Sequence, residues 1–388
     1  MGSDKIHHHH HHMDALEIHR FLKGKIRTAL PVEKVDRETL SLLYTPGVAD
    51  VARACAEDPE KTYVYTSRWN TVAVVSDGSA VLGLGNIGPY GALPVMEGKA
   101  FLFKAFADID AFPICLSESE EEKIISIVKS LEPSFGGINL EDIGAPKCFR
   151  ILQRLSEEMN IPVFHDDQQG TAVVVSAAFL NALKLTEKKI EEVKVVVNGI
   201  GAAGYNIVKF LLDLGVKNVV AVDRKGILNE NDPETCLNEY HLEIARITNP
   251  ERLSGDLETA LEGADFFIGV SRGNILKPEW IKKMSRKPVI FALANPVPEI
   301  DPELAREAGA FIVATGRSDH PNQVNNLLAF PGIMKGAVEK RSKITKNMLL
   351  SAVEAIARSC EPEPERIIPE AFDMKVHLNV YTAVKGSA

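Results

Sequence analysis

The sequence predicts an α/β protein, with a doubly wound parallel sheet in its C-terminal part and a smaller α/β domain before it. Three observations lead there. From about residue 170, short apolar strands alternate with helical spacers, at 193–197, 219–222, 266–270, 289–293 and 311–314. They are apolar on both faces, as strands must be when helices cover both sides of a parallel sheet. The first of them runs into a glycine-rich turn that opens a helix. Finally, 388 residues are too many for one compact core and suit two domains of roughly 100–200 residues each.

The elements follow in order. Residues 1–12 carry six consecutive histidines and read as an expression tag, with the natural start at Met13. Residues 13–168 form the expected N-terminal domain and 169–388 the second. The spacing of Leu16, Phe21 and Ile26 predicts a helix over 14–30, ended by Pro31. A segment from Leu40 stops at the turn signal Pro46-Gly47, and 48–56 resumes a helical pattern. Residues 71–75 and 81–85 read as strands, and Asp77-Gly78 between them suggests a hairpin. A helix over 94–108 and a strand over 112–116 come next, then an amphipathic helix over 120–131. The strand 136–140 runs into Glu141-Asp142; after a helix over 148–159, the strand 162–164 runs into His165-Asp166-Asp167. Residues 171–185 form a long helix of small residues, and 347–359 a last one, with Pro362, Pro364 and Pro369 interrupting the C-terminal segment beyond it.

Composition excludes several classes. Hydrophobic residues at 45% and charged residues at 25% are an ordinary globular balance, which excludes wholesale disorder. A net charge of -9 lacks the basic footprint that nucleic acid requires. No apolar run reaches the roughly 18 residues of a membrane span, and charged residues interrupt any secretory signal after Met13. Five widely spaced cysteines without a C-x-x-C disfavour a disulfide framework or zinc ribbon and suit a cytoplasmic protein with reduced thiols.

The glycine turn is Gly199-Ile200-Gly201-Ala202-Ala203-Gly204. It sits between a strand and a helix, and a second strand then ends on Asp223 about 20 residues on, the context a dinucleotide site requires. The first glycine allows a tight turn, the second lets a pyrophosphate approach, and the third lets helix and strand pack closely. The helix N-terminus supplies unpaired N–H groups to the phosphates. This is the Rossmann-like arrangement. Asp223 would bond the adenosine ribose, which favours NAD; Arg224 and Lys225 could hold a 2′-phosphate and keep NADP open. A second copy, Gly83-Leu84-Gly85-Asn86-Ile87-Gly88, has Pro89 and Gly91 where a helix should start and reads as a close-packed turn near the active site.

Two acidic pairs, Glu141-Asp142 and Asp166-Asp167, end strands in the first half, and strand ends open onto the ligand crevice of an α/β sheet. Carboxylates converging there repel one another unless a cation neutralises them. An oxygen-only set suits Mg²⁺ or Mn²⁺; two solvated acidic turns would need no ion. Lys99 lies among small and apolar neighbours, and desolvation next to a metal ion would lower its pKa and make it a base. Tyr44 precedes the Pro46-Gly47 turn.

Here the strings accumulate. Leu43-Tyr44-Thr45-Pro46-Gly47, Leu82-Gly83-Leu84-Gly85, Glu97-Gly98-Lys99, Asn139-Leu140-Glu141-Asp142 and Phe164-His165-Asp166-Asp167-Gln168-Gln169-Gly170-Thr171 resemble malic enzyme. So do the segment from Phe291 through Asn295-Pro296, Gln323-Val324-Asn325-Asn326, and Phe330-Pro331-Gly332, in the family's order over about residues 40 to 335. The length is similar to the short prokaryotic form. The resemblance implies oxidative decarboxylation of (S)-malate to pyruvate and CO₂ with reduction of NAD(P)⁺, by a divalent-metal-dependent homodimer. It implies Lys99 as general base, Tyr44 as general acid, and Asp166 as a neighbour that tunes Lys99. Glu141, Asp142 and Asp167 match the metal ligands; Asn295 and Asn325 match the residues holding the substrate carboxylate, with Asn326 as the alternative to Asn325, and Asn295 also faces the cofactor. Larger members place an arginine soon after the Asp-Gly turn to clamp malate; here Ser79-Ala80-Val81 offers none. That keeps open a related 2-hydroxy-acid or oxaloacetate decarboxylase, and, from another class, a catalytically silent NAD-binding regulator. A metal-free amino-acid dehydrogenase would keep its activity under chelation.

Overall fold

The computed structural model describes residues 13–387; the tag run lies outside the described residues. Four short helices come first: α1 (Ala15–Leu22), α2 (Arg37–Leu43), α3 (Val48–Glu57) and α4 (Thr62–Tyr65). The helix expected over 14–30 stops at Leu22. Asp14 caps its start by accepting from the Glu17 N–H, but Lys23 turns left-handed at φ 53° and Gly24 follows at φ 110°, the usual helix stop. None of these four helices buries a residue.

The first sheet holds β1 (Thr71–Ser76), β2 (Asp110–Cys115), β3 (Gly137–Leu140) and β4 (Val163–His165), all parallel, in the order β2-β1-β3-β4. The crossovers are α5 (Gly88–Ala107), α6 (Glu121–Ser130) and α7 (Lys147–Glu158). The expected hairpin is absent. β1 is flanked by parallel neighbours on both sides, so no edge is left for a returning strand. Residues 81–85 instead close on themselves, Gly85 donating its N–H to Val81 O, with Gly83 and Gly85 at φ 78° and 73°. Helix α5 also starts earlier than expected, because Pro89 in the first turn lacks an N–H the helix would leave unpaired anyway.

A one-turn π-helix (Asp166–Gly170) follows β4 and feeds α8 (Thr171–Thr186), which is buried on nearly every side. The second sheet contains β5 (Lys194–Asn198), β6 (Asn218–Asp223), β7 (Gly226–Ile227), β8 (Phe266–Gly269), β9 (Val289–Ala292) and β10 (Ile312–Thr315). Its order is β10-β9-β8-β5-β6-β7, parallel except for β7. Helices α9 (Ala202–Leu214), α10 (Glu239–Ile247), α11 (Leu257–Leu261), α12 (Pro278–Ile281) and α13 (Pro302–Glu307) intervene. This is the doubly wound sheet the alternating strands predicted.

The chain ends in α14 (Phe330–Lys340), α15 (Lys346–Arg358) and α16 (Met374–Gly386). Sequence periodicity did not mark α16. It lies close on α14, where a Cβ at Gly332 or Gly336 would stand 2.8 Å from Val380 or Val384. One continuous apolar core runs from β1 and β3 through α8 to β5, β8 and α14, so the two sheets are fused across α8. A smaller core, with Val196, Val220, Phe267 and Ile290, covers the other face of the second sheet.

Candidate active site

The carboxyl ends of β3 and β4 lie side by side, so the acids following each strand meet. Lys99, on α5, enters between them. Its Nζ is 2.6 Å from Asp166 Oδ2 and 3.0 Å from Glu141 Oε2, with all three side chains at most 10% exposed. The ammonium also lies 3.7 Å from the centre of the Phe330 ring, a cation–π contact. Asn139 Nδ2 donates to Glu141 Oε2 at 3.0 Å, and Asn326 Nδ2 donates to Asp166 Oδ2 at 3.1 Å and Thr171 Oγ1 at 2.8 Å. Asp166 Oδ1 is buried and accepts from no described residue. It also requires Gly170: a Cβ there would sit 1.9 Å from that oxygen.

Beside this pair stands a second group. Among the described residues, Glu141, Asp142 and Asp167 each offer a carboxylate oxygen, and these oxygens lie within 4.8 Å of one another. Asp142 takes φ 53°, a left-handed conformation that Asp tolerates better than most residues. Its N–H donates to Asp167 Oδ2 at 3.0 Å, and His165 Nε2 approaches the same oxygen at 3.2 Å. Gln168 lies 2.8 Å from His165 Nδ1 and accepts from Asn206 Nδ2 at 3.1 Å, linking the acids to α9.

The electrostatics are those of a crowded anionic site. Burial raises Glu141 well above the usual carboxylate range; Lys99 opposes this, while Asp166, Asp167 and Asp142 add to it. Burial and then Asp167 lift Asp142 to about 7. Burial also works to raise Asp167, but the His165 hydrogen bond overrides it and holds this carboxyl low. Burial works to discharge the Lys99 ammonium, but Asp166 and Glu141 prevail and push its pKa upward. Coulomb attraction to the two carboxylates outweighs desolvation here, whereas the lowering expected of Lys99 is tied to a metal ion beside it.

Tyr44 is not part of this cluster. It closes α2, 69% exposed, and its hydroxyl bonds no described residue. Asn325 accepts from Leu327 N–H and so caps a short 3₁₀ turn, whereas its neighbour Asn326 reaches Asp166. Asn295 lies after β9, its amide donating to Leu293 O at 3.3 Å. The second glycine copy lies next to it, Gly83 facing Pro296.

At the dinucleotide turn, Gly199 has φ 102°, and a Cβ at Gly204 would stand 1.7 Å from Gly199 O. Nothing lies within 4 Å of a Cβ built on Gly201, which leaves that face open for a phosphate. Ala202 and Ala203 begin α9 there. Asp223, expected to face the ribose, accepts from Ile200 N–H at 2.6 Å and from its neighbour Arg224 N–H at 2.7 Å. Arg224 and Lys225 border a cleft of about 470 Å³ with Ser254 and Asp256.

Comparisons with known proteins show the family. Residues 23–123 and 117–156 match the family model for the malic enzyme N-terminal domain, and residues 168–385 that for the malic enzyme NAD binding domain. The chain belongs to the malic enzyme family. It is 56% identical over 370 residues to an NAD-dependent malic enzyme of Geobacillus stearothermophilus, covering 94% of this chain and 77% of that one. It is 46% identical to an NADP-dependent malic enzyme of Escherichia coli, spanning 96% of this chain and 52% of the relative. The crystal structure of an NAD-dependent malic enzyme from Thermotoga maritima is similar at a TM-score of 0.97 and 99% identity, over 97% of this chain and 100% of that one. The malic enzyme of Pyrococcus horikoshii is similar at 0.90 and 51%, over 93% and 86%.

Within this malic enzyme family member, sequence reasoning passed over several residues of the cluster. Asn139, His165 and Gln168 lie inside the family strings but carry no chemistry that marks them individually. Phe330 and Thr171 lie inside those strings too, again without a role of their own. Lys147, whose Nζ is 2.5 Å from the buried Asp77 carboxylate, gave no signal at all.

Proposed function

We propose that this chain oxidatively decarboxylates (S)-malate to pyruvate and CO₂ while reducing NAD⁺ or NADP⁺. The observation that carries the reading is Lys99 Nζ held between Asp166 and Glu141, beside three converging carboxylates. Glu141, Asp142 and Asp167 fit a hard divalent cation: they are oxygen donors, and two have pKa values raised by burial and by the neighbouring carboxylates. Bound there, Mg²⁺ or Mn²⁺ would act as a Lewis acid toward the substrate oxygen and draw the acids' charge away from Lys99.

Lys99 then takes the proton from the 2-hydroxyl as hydride leaves C2 for the nicotinamide. Asp166 holds the lysine in place and Asn326 holds Asp166; Asn295 and Asn325 or Asn326 orient the substrate carboxylate. Loss of CO₂ from the resulting oxaloacetate leaves enolpyruvate, and Tyr44 returns a proton to C3. Asp223 favours NAD⁺, although its carboxylate also braces the glycine turn, and Arg224 with Lys225 leaves NADP⁺ open. Five unbonded cysteines suit a reducing, cytoplasmic setting.

The Tyr44 step requires a second copy. Tyr44 is exposed beside Leu40, Leu42 and Leu43, all more than half exposed, and Leu82, Leu84 and Tyr90 are exposed as well. An apolar surface of this kind is what a partner covers. A homodimer burying it would bring the partner's Tyr44 to Lys99. The deciding assay follows absorbance of NADH or NADPH with malate, Mn²⁺ and each cofactor, with and without EDTA. Reduced cofactor and pyruvate in equal amounts, lost on chelation, is the expected result. No reduced cofactor from malate would defeat the proposal, and turnover that survives EDTA would defeat its metal.

A further inference from the structure

Glu299 is a fully buried carboxylate that the mechanism above does not use. It lies in the segment between β9 and α13. Its Oε1 accepts from Ala294 N–H at 2.9 Å, and its Oε2 from Ser271 N–H at 3.3 Å. Ala294 immediately precedes Asn295. Ser271 lies in the loop after β8, and its hydroxyl accepts from Asn198 Nδ2 at 3.0 Å, next to Gly199 at the end of β5. One carboxylate therefore ties together the loops after β8 and β9 and, through Ser271, the start of the glycine turn. Those are three adjacent strand ends of a sheet whose ligand crosses at its carboxyl edge.

The two loops are joined again by Asn274 N–H to Pro298 O and Leu276 N–H to Glu299 O, each 3.0 Å. Space is reserved for the carboxylate as well: a Cβ on Gly269 would lie 2.3 Å from Oε2. Among the described residues no cation balances it. Arg272, on the same loop as Ser271, is exposed and makes no bond to it; Asp301, toward α13, is exposed too. Asp265, at the opposite end of β8, pairs with Lys188 at 2.6 Å. Only backbone N–H groups serve the charge. Burial raises the pKa to about 7, against the pull of the Ala294 and Ser271 amides.

We propose that Glu299 in its charged form is a positioning residue for the nicotinamide end of the coenzyme site, holding the loops of Ser271 and Asn295 in the shape that receives the ring. Both carboxylate oxygens must accept for this clamp to close. Protonation, or an amide in its place, turns one acceptor into a donor that faces another N–H. The inference rests on the dinucleotide reading above.

The test titrates wild type and Glu299→Gln calorimetrically with NAD⁺ and, separately, with ADP-ribose, from pH 6 to pH 8, without metal or malate. Wild-type affinity for NAD⁺ should fall about tenfold from pH 8 to pH 6 as the charged fraction falls. Glu299→Gln should bind NAD⁺ about tenfold more weakly than wild type at pH 8, with no slope. ADP-ribose, which lacks the ring, should show neither effect. It also controls for His241, which is 2.8 Å from Ile200 O at the glycine turn and would act on both ligands alike. A flat wild-type profile for NAD⁺, an equal slope for ADP-ribose, or a slope retained in Glu299→Gln would overturn the assignment. Should the variant fail to fold, the two wild-type profiles still decide. If wild type binds neither ligand, the dinucleotide reading falls instead.

Discussion

Lys99 and Tyr44 belong to one proposed reaction, yet the chain treats them differently. Lys99 is built in: a long helix carries it under Phe330 and against acids from two strand ends, and its neighbours hold it from several directions. Tyr44 is left at the tip of a short helix whose segment buries nothing, open to solvent among exposed leucines. A base that must be kept charged or uncharged by its surroundings needs a dense, desolvated setting within one core. An acid delivered across an interface needs only a well-placed surface. On the proposed reading, folding completes one half of the site and association supplies the other.

The sharpest way to break that contrast is complementation. Lys99→Ala and Tyr44→Phe should each lower malate turnover by roughly 10²–10⁴-fold. Co-expressed, they should recover about a quarter of wild-type activity, because half of random dimers are mixed and each of those has one intact shared site. If each chain completed its own site, mixing would recover nothing. NAD⁺ affinity of Lys99→Ala, measured alongside, should stay within about threefold of wild type if the lysine acts on the proton alone.

The cation probes the built-in half. Saturating Mn²⁺ at about a hundred times its dissociation constant should stabilise the folded chain by about 2.7 kcal/mol, visible as a rise in Tm that EDTA reverses. Glu141→Gln should weaken that response; an unchanged rise would place the ion elsewhere. Gly170→Ala should drive the new methyl into Asp166 Oδ1 and cost about 1–3 kcal/mol in urea unfolding. Turnover should fall with it, since Asp166 holds Lys99.

On the open half, Leu43→Asp should shift sedimentation from dimer toward monomer and reduce turnover while leaving Mn²⁺ binding intact. A dimer of unchanged strength would remove the interface from this face. The last probe is a pH dependence of stability at Glu299. Its folded pKa of about 7 lies above the ordinary glutamate value of 4.5. Its contribution is therefore full below pH 4.5 and lost as pH rises through 7. The stability of Glu299→Gln relative to wild type should accordingly rise between about pH 5 and pH 8, by at most about 3 kcal/mol. A constant difference would show that the carboxyl keeps one protonation state across that range.

Much of this architecture is visible in local pattern. Strands such as Val195 to Val197 are apolar on both faces and can only be interior strands of a covered sheet. The turn at Gly199 carries its own stereochemical demands, and Glu141-Asp142 and Asp166-Asp167 sit at strand ends by adjacency in sequence. Other features escaped because they depend on distant partners. Residues 81–85 have strand composition, but β1 has no free edge to pair with them. Asn325 and Asn326 are indistinguishable as letters; a 3₁₀ turn points one at Leu327 and the other at Asp166.

Periodicity and motif spacing thus settle what depends on neighbours in the chain: the alternation of strands and helices, the glycine-rich turn, and the acids that follow β3 and β4. Contacts across the fold settle the rest. That Lys99 is pushed up in pKa, that Gly170 has no room for a methyl, that Glu299 is a buried clamp and that Tyr44 faces outward all turn on groups far away in sequence. Coulomb forces and packing act through space, and a linear pattern records only the part of space that lies along the chain.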